Sequence, residues 1–175
     1  MRNRFVIGVV YVGSFILFAC TDSSGPSTTV RVTAMDNCDS VSFNAGIGAG
    51  TCKKNGTLTF AEFNSELSAT HTVAAWQFAP STLNARVGQS IVITNTGGET
   101  HTFTEVEQFG GGVVPSLNTA SGNTTVAPEC THLVAEDFIA AGATKTDSPE
   151  DKAGTERYQC CIHPWMRAVV TVADR

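Results

Sequence analysis

The sequence predicts an all-β domain, a sandwich or barrel of short strands, with one short helical insert. Runs of β-branched and apolar residues recur from about residue 73 to the C terminus, and turn-forming residues separate them. A segment before these runs, at about residues 57–70, has apolar residues at helical spacing instead. The 175 residues are enough for one domain with its own hydrophobic core.

The N-terminal residues have the pattern of an export signal, which we assign to residues 1–19. Two arginines precede an apolar run, Phe5 to Ala19, that is too short to span a membrane. Leu17-Phe18-Ala19-Cys20 resembles the bacterial lipobox. This resemblance implies that Cys20 is the lipidated first residue of a protein held on the periplasmic side of a bacterial cell envelope. An ordinary signal peptide that leaves Cys20 as a free thiol is the alternative.

Residues 20–33 are predicted to form a flexible tether, because Thr21 to Thr29 is small and polar. Val30 to Ala34 is the first strand-like run, and the domain is assigned to residues 34–175. The formal net charge is −5 before a basic signal peptide is removed. An acidic chain argues against nucleic acid as a partner and suits a basic redox protein.

The helical insert is predicted from a capping box. Thr59 is placed at the N-cap and Glu62 three residues later, and the apolar side chains that follow lie on one helical face. We expect a helix from about Phe60 to Ser68 that packs on the sheets as a lid. The glycine-rich stretch between Cys38 and Cys52 is expected to be a loop.

The strand pattern begins after the insert. The predicted strands are Val73–Phe78, Ile91–Asn95, His101–Val106, Phe138–Lys145 with its turn, Tyr158–Cys160 and Arg167–Val172. Between them, Gln108 to Thr131 is predicted to be a long loop, because it is rich in Gly, Pro, Asn and Thr.

The chemistry is concentrated in the loop between the last two strands. Cys160, His163 and Met166 follow one another at three-residue spacing, which a short loop can turn towards one point. A thiolate and a thioether together favour copper, and two histidines, one cysteine and a weak axial methionine form the blue-copper ligand set. His101 is the predicted second imidazole. A zinc site is the alternative, but zinc requires four strong ligands and methionine is a poor one.

This loop resembles the ligand loop of the cupredoxins, in the short Cys-x-x-His-Pro-x-Met form of their amicyanin-like and plastocyanin-like members. The run Asn84 to Asn95 resembles the strand pair that precedes the first ligand histidine. The resemblance implies a cupredoxin-like Greek-key β-sandwich that binds one copper ion, Cu(I) or Cu(II). The ligands it implies are His101, Cys160, His163 and Met166. Thr102 stands where many cupredoxins carry a hydrogen-bonding Asn or Ser.

Four cysteines are left for disulfides once Cys20 is assigned to lipid and Cys160 to metal. They are Cys38, Cys52, Cys130 and Cys161. Because side chains alternate along a strand, the Cys161 side chain should point away from that of Cys160. We expect a local Cys38–Cys52 bond and a Cys130–Cys161 bond, although sequence alone allows three pairings. Cys161 as the metal ligand is the alternative.

The predicted function is one-electron transfer by a monomeric, membrane-anchored copper protein that is not an enzyme. His71 and His132 are expected at the surface, so too few histidines remain for a catalytic copper cluster. His163 should lie nearest the surface among the ligands, with Pro164 and Trp165 as an apolar rim for docking a cytochrome or an oxidase. The alternatives are a protein that carries or stores copper for an oxidase, and a copper-free structural module.

Overall fold

Two four-stranded sheets enclose one hydrophobic core in the computed structural model, which describes residues 27–148 and 150–175. The strands are β1 (Thr29–Met35), β2 (Gln77–Ala79), β3 (Thr82–Arg86), β4 (Ser90–Asn95), β5 (His101–Thr102), β6 (Thr104–Glu105), β7 (Phe138–Ile139), β8 (Thr144–Thr146), β9 (Gly154–Gln159) and β10 (Arg167–Ala173). The α-helices are α1 (Ser40–Gly46), α2 (Phe60–Thr70) and α3 (Pro115–Ala120), and 3-10 helices span Pro128–His132 and Ala135–Asp137. The predicted signal peptide and Cys20 lie outside the described residues.

The strand order confirms a β-sandwich with a short helical insert. One sheet has the order β2-β1-β4-β8 and the other β3-β10-β9-β6, while β5 and β7 form a separate pair. Strand β1 runs parallel to β4, and β3 runs parallel to β10. Strands that are distant in sequence are therefore neighbours, and the chain crosses repeatedly from one sheet to the other.

Alternating side chains produce the core. In β4, Ile91 and Ile93 are fully buried, whereas Ser90, Val92 and Thr94, which alternate with them, are only half-buried. In β10, Val170 and Val172 point inwards in the same way. These two strands therefore direct one face of each sheet into the sandwich, because the side-chain period of a strand is two. In the described part of the chain, no helix is both long and apolar enough to cross a membrane.

The helical insert forms where the capping box predicts it. The Thr59 hydroxyl accepts a hydrogen bond from the backbone of Glu62, whose side chain accepts one from the backbone of Thr59. Helix α2 ends at Thr70, slightly later than predicted. It buries Phe63 against Trp76, with ring centroids 4.8 Å apart, and Phe43 of α1 stacks on the same indole at 5.6 Å. The insert is therefore joined to the sandwich through Trp76.

Both expected disulfides are present. Cys38 and Cys52 close a segment that was predicted to be a loop but begins with helix α1. Cys130 and Cys161 join the first 3-10 helix to the ligand loop. Cys160 is the free cysteine among the described residues.

Two predicted boundaries near the N-terminal side of the domain were wrong. Residues 29–33, placed in the tether by the domain boundary, belong to β1, as the strand-like run Val30 to Ala34 predicted, and Val32 is buried in the core. Residues 73–76, assigned to a strand, form a turn in which the backbone N–H of Trp76 donates to the carbonyl of Val73 at 2.9 Å. Both side chains are buried at a spacing of three residues, which a strand would place on opposite faces.

Two later assignments also need correction. The predicted loop from residue 108 to 131 contains α3 and most of a 3-10 helix. The stretch from residue 138 to 145, predicted to be one strand with its turn, forms two short strands joined by a turn, and β7 pairs with β5 whereas β8 pairs with β4. Gly142 lies in the turn between them with φ of 79°, a value that favours glycine.

Candidate metal centre

Three donor atoms face one another in the interior of one end of the sandwich. The Cys160 sulfur lies 3.9 Å from Nδ1 of His101 and 3.8 Å from Nδ1 of His163. All three ligand atoms lie within 4.8 Å of one another. Cys160 and His101 are fully buried and His163 is 3 % exposed. A sulfur and two imidazole nitrogens at this spacing fit a single metal ion of the copper or zinc type.

The strands and the loop bring these atoms together. His101 opens β5, and Cys160 follows the last residue of β9. Two backbone hydrogen bonds close the loop. The N–H of Cys160 donates to the carbonyl of Met166 at 3.0 Å, and the N–H of Met166 donates to the carbonyl of His163 at 2.9 Å. The short loop of residues 160–166 therefore leads directly into β10, which begins at Arg167.

Thr102 joins the two ligand segments. Its hydroxyl accepts a hydrogen bond from the backbone N–H of Cys161 at 2.8 Å, and its own N–H points at the Cys160 sulfur at 3.4 Å. The backbone N–H of His163 points at the same sulfur at 3.4 Å. Two backbone dipoles therefore favour a thiolate in the interior.

The environment of Cys160 favours the thiolate electrostatically as well. Burial by itself raises the pKa of the thiol, but the hydrogen bonds and charges of His101 and His163 outweigh burial and lower the pKa well below its usual value. For His163, burial lowers the pKa, and the contacts with Cys160 and Glu99 outweigh it and raise the pKa. A thiolate is the form of cysteine that binds metals.

Two carboxylates, absent from the sequence prediction, contact the outer nitrogens of the histidines. Asp36 lies 2.9 Å from Nε2 of His101, and Glu99 lies 3.3 Å from Nε2 of His163. Burial raises the pKa of Asp36, but hydrogen bonds from His101 and from the backbone of residues 98 and 99 outweigh it and lower that pKa to about 2. Asp36 follows β1 and is 65 residues from His101, so no local pattern links the two.

The structure places the rest of the predicted set as follows. Met166 is 1 % exposed and ends the ligand loop. Cys161 is bonded to Cys130 and so is not a ligand to the same metal. His71 and His132 are both exposed and do not belong to the cluster of donor atoms.

The predicted docking rim is not formed. Pro164 is buried, and Trp165 is only partly exposed, with its ring 6.0 Å from that of Phe63 in α2. His163 is the most exposed of the four predicted ligands, as expected, but its exposed fraction is only 3 %. The physical reason is that the insert covers this end of the sandwich. A cavity of about 300 Å³ between the three α-helices reaches His163 and Glu99.

Comparison with known proteins gives structural neighbours of low sequence identity. A purple cupredoxin from Nitrosopumilus maritimus is 15 % identical, with 82 % of this chain and 98 % of that chain covered and a TM-score of 0.45. The oxidized plastocyanin of Dryopteris crassirhizoma is 14 % identical, with 82 % and 100 % covered and a TM-score of 0.42.

A mutant of amicyanin in its Cu(I) form is 18 % identical, with 58 % of this chain and 78 % of that chain covered and a TM-score of 0.39. All three neighbours belong to the cupredoxins, the family whose ligand loop this sequence resembles. No protein-family model matches the chain, and no curated protein matches it.

Proposed function

We propose that the domain binds one copper ion through His101, Cys160 and His163, with Met166 as a weaker fourth ligand, and transfers single electrons. The observation that carries the proposal is the convergence of one sulfur and two Nδ1 atoms within 4.8 Å in a buried site. Copper bound there supplies the change between Cu(I) and Cu(II).

The chain's own residues hold the ligands in place. Thr102 ties the Cys160 segment to the His101 strand, and the backbone bonds of Met166 close the loop. Ligands fixed in this way move little when the charge of the site changes, which suits rapid electron transfer. We propose that no substrate is turned over, because His71 and His132 are exposed and neither adds to the site.

A copper carrier is the alternative, and the burial of the site disfavours it. A carrier must release its metal, whereas these ligands are 0–3 % exposed and each imidazole is held by a carboxylate. The test is to mix copper-loaded protein with a competing chelator and, separately, with a reduced cytochrome. Slow copper loss with rapid oxidation of the cytochrome supports the shuttle, and the opposite pair of results supports the carrier.

Metal binding itself is tested by titrating the apoprotein with Cu(II). One equivalent should produce an intense thiolate-to-Cu(II) absorption band. Cys160→Ser should abolish the band. The double variant Cys130→Ser/Cys161→Ser is the matched control and should keep it, because Cys161 points away from the donor atoms and is bonded to Cys130. Loss of the band in the control but not in Cys160→Ser would contradict the ligand assignment.

We further propose that the protein is exported, lipidated at Cys20 and anchored on the periplasmic side of a bacterial membrane, where it meets a redox protein. The lipobox-like residues 17–20 support the anchor. Two disulfides in the domain support an oxidising compartment. Mass spectrometry of the mature N terminus tests the lipid, and Cys20→Ala should release the protein from the membrane fraction.

A further inference from the structure

We propose that Asp36 and Glu99 are positioning residues of the metal centre. Each accepts a hydrogen bond from Nε2 of one ligand histidine, so that both histidines present Nδ1 to the metal and the two carboxylates favour Cu(II) over Cu(I). The proposal rests on the proposed copper function and concerns residues outside the predicted ligand set.

Asp36 is held so that its carboxylate has little freedom. One oxygen accepts hydrogen bonds from Nε2 of His101 at 2.9 Å and from the backbone N–H of Glu99 at 3.0 Å. The other accepts from the backbone N–H of Gly98 at 2.9 Å and of Cys38 at 3.2 Å. Four N–H donors around one buried carboxylate favour its ionised form and fix its direction.

Glu99 makes a longer ion-pair contact with the second histidine. Its Oε2 atom lies 3.3 Å from Nε2 of His163 and accepts a hydrogen bond from the indole N–H of Trp76 at 2.8 Å. Glu99 is 6 % exposed. The backbone N–H of Glu99 donates a hydrogen bond to Asp36, so the two carboxylates belong to one network of hydrogen bonds and ion-pair contacts that reaches both imidazoles.

The segment between β1 and β2, residues 36–76, contains the helical insert and assembles this network. Asp36 begins this segment and Trp76 ends it. A side chain on Gly97 would overlap the Asp36 carboxylate, and a Cβ on Gly98 would lie 2.6 Å from the Cys38 sulfur. The two glycines are therefore required for close approach between the His101 strand and the segment between β1 and β2. This gives the segment a role at the metal centre in addition to covering it.

The chemical consequence follows from the direction of the hydrogen bonds. A carboxylate that accepts the Nε2 proton leaves the Nδ1 lone pair for the metal and makes the imidazole a stronger donor. Two buried negative charges near the site stabilise the more highly charged Cu(II) state more than Cu(I). Removing either charge should therefore raise the reduction potential.

The first experiment measures the reduction potential of Asp36→Asn and Glu99→Gln. The matched controls are Asp39→Asn, which caps α1 without reaching the metal centre, and Glu66→Gln on α2. Loss of such outer partners weakens metal affinity by about 10–100-fold. A tenfold greater loss for Cu(II) than for Cu(I) raises the potential by about 59 mV. The controls should leave the potential unchanged.

A second measurement uses the unaltered protein, in case Asp36→Asn does not fold. In the diamagnetic Cu(I) form with ¹⁵N-labelled histidine, long-range ¹H–¹⁵N spectra should show a proton on Nε2 of both His101 and His163. Both protons should exchange slowly with solvent, because each is donated to a buried carboxylate. A proton on Nδ1, or rapid exchange at either Nε2, would overturn the proposal.

The two hypotheses fail in different ways. If the wild-type protein shows no thiolate-to-Cu(II) band, the copper function itself is wrong. If the band is present but Glu99→Gln shifts the potential no more than Glu66→Gln does, copper binding stands and the positioning role of Glu99 is wrong. The same comparison of Asp36→Asn with Asp39→Asn decides the role of Asp36.

Discussion

The indole of Trp165 packs against the phenyl ring of Phe63, with ring centroids 6.0 Å apart and planes tilted by 50°. Trp165 belongs to the metal loop and Phe63 to α2, so the insert closes over the end of the sandwich that holds the donor atoms. The same indole lies 5.5 Å from the His163 ring. The aromatic side chain of the loop therefore connects the metal centre to the insert.

Removal of the Phe63 ring should expose the centre without altering its ligands. Phe63→Ala should lower the free energy of unfolding by about 3–5 kcal/mol, measured by urea denaturation. It should keep the copper band and speed oxidation of the Cu(I) protein by hexacyanoferrate, because the cover over His163 is thinned. Phe78→Ala, which removes an equally buried ring that packs on Phe103, is the control. Equal oxidation rates in the two variants would show that α2 does not restrict access.

The hydroxyl of Thr102 should stabilise the fold and influence the position of the thiolate-to-Cu(II) absorption band. Thr102→Val leaves the buried N–H of Cys161 without its acceptor, which typically costs about 1–3 kcal/mol. We expect a lower free energy of unfolding and a shifted thiolate-to-Cu(II) band, measured by urea titration and visible absorption. Thr102→Ser retains the hydroxyl and should resemble the wild type. A valine variant with unchanged band and stability would refute this role.

The Cys38–Cys52 disulfide should stabilise the segment between β1 and β2 but not be needed for copper binding. The double variant Cys38→Ser/Cys52→Ser should lose about 2–5 kcal/mol of stability, measured by calorimetry, because the closed segment gains freedom when unfolded. Below its melting temperature it should still give the copper band, since neither cysteine is a ligand. Absence of the band in the folded variant would indicate that this segment is needed to form the site.

Glu150 should make the fold less stable as the pH rises. Burial first, and then Glu156 and the acidic side chains of Asp147 and Glu105, raise its pKa from 4.5 to about 8. Because the pKa is raised in the folded state, the contribution of Glu150 to the free energy of unfolding is fully present below about pH 4.5 and is lost as the pH rises through 8.

The Glu150 prediction is checked by the melting temperature between pH 4 and pH 9. The wild type should lose stability across this range, and Glu150→Gln should lose less, with the largest difference above pH 8. Glu136→Gln, which changes an exposed glutamate, should follow the wild type. Parallel curves for Glu150→Gln and the wild type would contradict the prediction.

Local patterns in the sequence determined several parts of this protein. The alternation in Ile91–Asn95 and Arg167–Val172 reflects burial of one face of a strand, and the Thr59–Glu62 capping box reflects bonds within one helical turn. The spacing of Cys160 and His163 is also local, because a short loop must turn both side chains towards one point. These features depend on neighbours in the chain, so they are visible without the fold.

Packing between distant segments decided the rest. Asp36 contacts His101, which is 65 residues away in the sequence, and Glu99 contacts Trp76, which is 23 residues away. Neither contact produces a local sequence pattern from which it could be predicted. The exposure of Trp165 was predicted wrongly because Phe63 of α2, which is 102 residues earlier in the chain, packs against it. Sequence alone predicted the ligand set that we propose for copper, whereas the tertiary structure decided the hydrogen-bond partners of these residues and their distance from solvent, because both depend on how the segment between β1 and β2 packs on the sandwich.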